Sequence, residues 1–302
     1  MSEHIKTRFL IMSDTHGHRP LSGPLTEHID VVIHCGDLTD ESKIEEFQKI
    51  LQYLQELNAD LKLVIAGNHD FTLDVPAFKK LVAYAAQPLE PELVRKTYGD
   101  YGEIRNLFLS ADAQAANIIL LNEGSYEFRL RNGALLRVYA SPFTPSLSGD
   151  WGFQYHPSEG HDFEIPGTVD IVITHGPPKG ILDRTDGRYA GCPRLFQAVA
   201  RAKPRLHCFG HIHERWGGKL VTWMKSNSVP SHITHIENRQ STVLSNISQL
   251  ETARQTSDLT YFSADCDVKK LNLQTLFINA ALQGTSDITQ IPWIVNVPLP
   301  RI

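Results

Sequence analysis

The chain has 302 residues, 41% of them apolar, with 29 Lys and Arg against 34 Asp and Glu for a formal net charge of −5. These values lie in the ordinary globular range and leave room for a sizeable core. The mild negative balance gives no general attraction to nucleic acid or to an anionic membrane, so any phosphate-bearing ligand must be held by a local site.

No Gly/Ser-rich or Pro-rich linker divides the sequence, and residues 1–302 are expected to form a single domain. The start of the chain runs from Glu3, Lys6 and Arg8 directly into an apolar strand, without the pattern of a signal peptide. No apolar run is long enough to cross a membrane. Cys35, Cys192, Cys208 and Cys266 are scattered, with no CxxC pair, which fits a reducing, cytoplasmic compartment.

Short apolar runs rich in β-branched residues occur at 9–12, 31–34, 61–66, 171–174 and 206–209, and each ends abruptly in polar residues or glycine. They read as buried strands. Between the second and third, Ile44, Phe47, Leu51, Leu54 and Leu57 repeat at three- and four-residue spacing over a charged face, predicting an amphipathic helix. A further helix is expected from Pro193, with Leu195, Phe196 and Val199 as its apolar stripe and Lys203-Pro204 as its stop. Strand candidates at 118–121, 126–130 and 134–139 lack intervening helices, so part of the sheet is expected to be antiparallel. The result is a layered α/β sandwich. The stretch 225–267 is rich in Ser, Thr, Asn and Gln with no sustained period, and reads as a polar loop insertion. Strand character returns at 271–278 and 293–297, expected at the sheet edge.

The chemistry gathers at the strand ends. Asp14 and His16 follow the first strand at i and i+2, and a chain still extended there projects a carboxylate and an imidazole to one side. The second strand ends in Gly36-Asp37. The third ends in Gly67-Asn68-His69-Asp70, the fourth in His175-Gly176-Pro177-Pro178 and the fifth in Gly210-His211-Ile212-His213. Each segment alone also fits a polar turn or a surface histidine. Together, five strand tips deliver Asp, Asn or His to the edge where open α/β sheets collect ligands. Carboxylate and imidazole donors without thiolate favour Mn, Fe, Zn or Mg, and seven candidates suffice for two metals sharing one carboxylate. Such a pair acidifies a bridging water for in-line attack at phosphorus.

The ordered set Asp14-x-His16, Gly36-Asp37, Gly67-Asn68-His69-Asp70, His175 and Gly210-His211-x-His213 resembles the calcineurin-like metallophosphoesterase superfamily over about residues 8–216. His175-Gly176-Pro177-Pro178, the stretch 142–153 and 210–214 look most like the metallophosphoesterase-domain-containing phosphodiesterases of animal brain. The resemblance implies an α/β/β/α sandwich of mixed sheets flanked by helices, and two divalent cations, Mn favoured. It implies that Asp14, His16 and His213 hold one metal, that Asn68, His175 and His211 hold the other, and that Asp37 bridges them. By the same resemblance His69 stands over the site as general acid. Members of the brain group can carry Gly where this chain has His211, and this chain keeps the imidazole. Asp40 either orients His69 or caps the following helix, and Asp70 is a similar candidate for a supporting catalytic role.

The expected activity is hydrolysis of small phosphodiesters of cyclic-nucleotide type by a hydroxide bridging two metals. A nuclease using the same centre would call for a basic stripe, which the sequence lacks. A metal-binding scaffold with vestigial catalysis, its polar stretch recruiting a partner, is the alternative from another class. Phe143, Trp151, Phe153 and Tyr155 either pack in the core or stack on a base. Arg215, with Arg184 and Arg188, either reaches a phosphate oxygen or stays a solvated surface charge.

Overall fold

A computed structural model describes residues 3–20, 27–224, 235–255, 259–270, 273–284 and 287–302. In chain order the first half contains β1 (His4–Met12), β2 (Ile29–His34), α1 (Ile44–Glu56), β3 (Ala59–Val64), α2 (Val75–Ala83), α3 (Pro91–Tyr98), α4 (Glu103–Phe108), α5 (Ala111–Ala115), β4 (Ile118–Leu120), β5 (Gly124–Arg129), β6 (Leu135–Ser141), β7 (Thr144–Pro145) and β8 (Gln154–Tyr155). The second half contains β9 (Ile171–Thr174), β10 (Arg184–Thr185), β11 (Arg188–Tyr189), α6 (Pro193–Ala202), β12 (Leu206–Phe209), β13 (Gly217–Thr222), β14 (Thr242–Asn246), α7 (Ile247–Arg254), β15 (Phe262–Asp265), β16 (Gln274–Asn279) and β17 (Trp293–Pro300).

Two mixed sheets form, one in the order β15-β17-β1-β2-β3-β4 and one in the order β14-β13-β16-β12-β9-β6-β5. Period-two alternation sorts each strand between two apolar layers. Phe9, Ile11, Val31, Ile33 and Leu63 of the first sheet meet Val138, Ile171, Ile173, Leu206 and Ile278 of the second. Leu10, Met12, Val32 and Val64 point the other way, onto Phe47, Leu51 and Leu54 of α1. On the far side, Val172, Phe209 and Phe277 pack against Leu195, Phe196 and Val199 of α6. The layers therefore run helix, sheet, sheet, helix, and the interior parallel strands β1, β2, β3, β9 and β12 send their carboxyl ends to one rim. Among the described residues no helix is long and apolar enough to cross a membrane.

The polar stretch 225–267 departs from the loop expectation. Residues 225–234 and 256–258 lie outside the described residues, but the remainder contributes β14, α7 and β15. β14 and β15 each form one outer edge of the two sheets and keep most of their positions exposed or only partly covered, so neither needs a continuous apolar run. β17, between β15 and β1, and β16, between β13 and β12, are interior strands and not edges. Their near-continuous burial is the physical reason their apolar character is so marked. Leu271, placed in the strand by pattern, lies outside the described residues.

Candidate metal centre

The strand exits fold back on themselves instead of continuing extended. Asp14, His16, Asp37 and His211 have φ of 53°, 45°, 50° and 69°. The left-handed region costs a non-glycine residue about 1–3 kcal/mol, a strain typical of functional sites. The extended Asp14-x-His16 pair expected from the sequence is therefore not what forms. Asp14 N–H donates to the Gly36 carbonyl at 2.9 Å and His16 N–H to the Asp37 carbonyl at 3.1 Å, so the first loop runs alongside the second.

Glycines permit this crowding. A Cβ at Gly210 would lie 1.9 Å from Asp14 Oδ2, and one at Gly67 would lie 2.3 Å from Asp37 Oδ1. At Gly36 it would lie 2.6 Å from His175 Nδ1. Each glycine beside a strand tip lets a backbone from another strand approach a candidate ligand.

The ligand atoms of Asp14, His16 and His213 lie within 4.8 Å of one another, as do those of Asp37, His175 and His211, and His16, Asp40 and His69 form a third such group beside them. Asp14 Oδ1 lies 3.1 Å from His213 Nε2, and both Asp14 oxygens lie 3.0 Å from the His211 backbone nitrogen. Asp37 Oδ2 lies 3.2 Å from His175 Nε2 and 3.9 Å from His16 Nε2, which puts this carboxylate between the groups. Asn68 Oδ1 stands 3.0 Å from His175 Nε2. His175 Nδ1–H donates to the Cys35 carbonyl at 2.9 Å, so its Nε2 faces the centre. No local pattern announces that contact.

The electrostatics match a cation-binding pocket. Burial alone raises the Asp14 carboxyl, but the hydrogen bond and charge of His213 prevail and hold it well below the usual carboxylate range. Asp37, also raised by burial, is held low by His175, His69 and His16. Burial lowers His175, yet Asp37 and Asp14 lift it to about 9. His213 also rises against its burial through Asp14. His211 falls to about 4 through burial and the charge of His175, and burial lowers His16. In effect, buried carboxylates draw protons onto neighbouring imidazoles in places a cation would take. His16 supplies the test of fit: both its ring nitrogens are buried without a hydrogen-bond partner. Buried polar atoms are rarely left so, and a metal ligand is what such an imidazole suits.

The sequence profile of the calcineurin-like phosphoesterase family matches residues 7–215. The chain belongs to that family. Metallophosphoesterase domain-containing protein 1 of Homo sapiens is 35% identical over 224 residues, covering 70% of this chain and 62% of that protein, and the Mus musculus protein gives the same figures. The match thus takes in less than two thirds of those relatives' length. Probable rhamnogalacturonate lyase C of Emericella nidulans is 34% identical over 219 residues, covering 72% of this chain and 18% of that protein.

Within this family member, the residues around the ligands divide by what they touch. His69 N–H donates to Asp37 Oδ1 at 2.8 Å, and its ring Nδ1 lies 2.6 Å from the Asp40 carbonyl oxygen. Asp40 thus holds His69 through its main chain, because its exposed carboxylate is 3.8 Å from the same nitrogen. It does not cap α1, whose N-cap is Lys43, with the Glu46 side chain accepting from Lys43 N–H at 2.9 Å. Asp70 is fully buried and accepts from Leu38 N–H, Thr39 N–H, Thr39 Oγ1–H and Gly67 N–H at 2.7 to 3.1 Å. Burial and the charge of Asp37 push its carboxyl up to about 7, while four donors favour the ionised form. Both oxygens being engaged, Asp70 ties the loop after β2, which carries Asp37, to the loop after β3, which carries Asn68, and so supports the ligands through the backbone and not through the His69 ring.

Arg215 is exposed, and its Nε–H donates to the Arg184 carbonyl, tying the turn after His213 to the β10–β11 hairpin. Of the four aromatic candidates, Phe153 packs against the α1-side core and Tyr155 against the α6-side core. Phe143 stacks on His161, with ring centroids 4.5 Å apart. Trp151 alone of the four turns to the site, stacked on His69.

Proposed function

We propose that the chain is a metal-dependent phosphoesterase that cleaves small phosphodiesters, cyclic nucleotides among them, with two divalent cations, Mn first among the candidates. The observation that carries this is the placement of Asp37 between two donor groups, with the buried His16 ring beside it making no hydrogen bond and facing carboxylates only at longer range, Asp37 at 3.9 Å and Asp40 at 3.4 Å. Asp14, His16 and His213 would hold one cation, Asn68, His175 and His211 the other, and Asp37 both. When bound, such cations acidify water and draw charge from phosphoryl oxygens.

The protein's own residues supply the rest. With Nδ1–H donated to the Asp40 carbonyl, His69 keeps Nε2 for the leaving oxygen. As the bond from phosphorus to that oxygen breaks, its electron pair takes the proton from Nε2, leaving a neutral ring. Buried Asp14 and Asp37 stay ionised, which suits a dicationic site.

The test is hydrolysis of bis-p-nitrophenyl phosphate, p-nitrophenyl phosphate and cyclic nucleotides by chelated protein before and after adding Mn, with Asp37→Ala as control. Turnover restored by Mn and absent in the control supports the proposal, and the diester-to-monoester ratio sets the substrate class. Absence of turnover by metal-loaded protein favours a metal-binding scaffold. In the same assay His69→Ala should retain metal and lose roughly 10²-fold or more on alkyl esters, while Asn68→Ala should lose metal affinity. Wild-type rates for His69→Ala on alkyl esters would remove the proton-donor role.

A further inference from the structure

The geometry points to Trp151 as the positioning residue for His69, holding the imidazole in the orientation from which it serves the leaving group. This rests on the phosphoesterase activity proposed above.

The indole and imidazole are stacked, with centroids 4.2 Å apart and planes inclined by 28°. At 84° to the imidazole, the ring of His16 closes in edge-on with its centroid 4.7 Å away. With Nδ1 fastened to the Asp40 carbonyl, the His69 ring is fixed at one atom, covered on a face by Trp151 and bounded by a candidate metal ligand. Among the described residues no hydrogen bond engages Nε2, so its direction is set by the Nδ1 bond together with the rings packed on the imidazole. The indole covers one whole face of the ring, and stacked aromatic pairs add about 0.5–1.5 kcal/mol beyond area burial.

Trp151 is itself placed by backbone contacts and is not a loose surface aromatic. Its N–H donates to Gln154 Oε1 at 3.1 Å, and the next residue, Gly152, donates N–H to the Asn68 carbonyl at 3.0 Å. Phe153 N–H donates to Asp74 Oδ2 at 2.8 Å, and Thr144 N–H to the Phe153 carbonyl at 2.9 Å. Gly152 is needed for the approach, since a Cβ there would lie 2.7 Å from Phe71 Cα. The loop that carries the indole is therefore fastened to the same strand exit that carries Asn68 and His69. Farther along, His161 and the hydroxyls of Tyr139 and Ser141 converge on Glu123 Oε1 at 2.7, 3.1 and 2.8 Å, bracing both ends of the loop.

The test compares Mn-loaded wild type, Trp151→Ala, Trp151→Phe, His69→Ala and the Trp151→Ala/His69→Ala double variant on bis-p-nitrophenyl phosphate and on an alkyl phosphodiester without an aromatic ring. A p-nitrophenolate leaves without a proton, whereas an alkoxide needs one. Trp151→Ala should lower kcat on the alkyl diester roughly tenfold or more with KM unchanged, in line with the rate cost of misplacing a reacting group. Its kcat on bis-p-nitrophenyl phosphate should stay within about twofold. Trp151→Phe should recover most of the loss, and the double variant should be no slower than His69→Ala. A ring-current shift of the His69 ring protons, read by NMR on metal-free protein without turnover, should disappear in Trp151→Ala.

Equal losses on both esters, a KM effect confined to the aromatic ester, or additive losses in the double variant would each overturn the positioning role. Trp151 is 37% exposed, so Trp151→Ala is expected to fold, and an unchanged thermal midpoint checks this. If wild type turned over neither ester, the phosphoesterase proposal would fail, and the positioning role with it.

Discussion

Replacing Asp70 by asparagine keeps the shape of the side chain and changes what it can accept. In the wild-type protein its two oxygens receive three backbone N–H groups and one hydroxyl, with no exposure to solvent. An asparagine oxygen can serve two of the four, and its NH2 then confronts the other two donors. At about 1–1.5 kcal/mol for each buried donor left without a partner, the cost is about 2–3 kcal/mol. Alanine, which serves none, should cost about 4 kcal/mol or more on the same basis. Against the total of about 5–15 kcal/mol usual for a domain, both are large. Urea denaturation of the metal-free variants reads the effect as a lower midpoint at constant slope. Calorimetric titration with Mn should show weaker binding as well, because the loops joined by Asp70 carry Asp37 and Asn68. Wild-type midpoints for both variants would refute the assignment of Asp70 as the tie between those loops.

Gly210→Ala should weaken Mn binding by about 10- to 100-fold, the range seen when support to metal ligands is lost. The added Cβ falls 1.9 Å from Asp14 Oδ2 and 2.2 Å from Ser13 Oγ, so unaltered affinity by calorimetry would argue against Asp14 as a ligand. Mn binding should also release protons. With His175 raised to about 9, its imidazole is protonated near neutrality in metal-free protein, and a cation must displace that proton. Affinity should therefore climb as pH rises towards 9, by about tenfold per unit for each proton displaced. Addition of Mn to weakly buffered protein at pH 7.5 with no acidification would contradict this protonation pattern.

The amino-acid sequence by itself determined the strand tips and their chemistry. Gly36-Asp37, Gly67-Asn68-His69-Asp70, His175 and Gly210-His211-x-His213 each follow an apolar run, and the carboxyl ends of parallel strands share one rim. The helices α1 and α6 were legible for the same kind of reason, their apolar stripes having a local period.

What only the tertiary structure decided involves partners far apart in the chain. Asp14 meets His213 across 199 residues, and His175 meets Asn68 across 107, so no local pattern records either contact. Asp70 and Asp40 sit close to the ligands in sequence, yet only the fold shows that Asp70 binds backbone N–H groups of both ligand loops while Asp40 meets the His69 ring through its carbonyl. Phe143, Trp151, Phe153 and Tyr155 are alike as aromatics, and contacts distant in sequence, Gly152 N–H to the Asn68 carbonyl and Phe153 N–H to Asp74, place Trp151 against His69. β14 and β15 escaped the pattern because an outermost strand exchanges hydrogen bonds on one side and leaves part of its side chains to water, so its identity lies in the neighbour it pairs with.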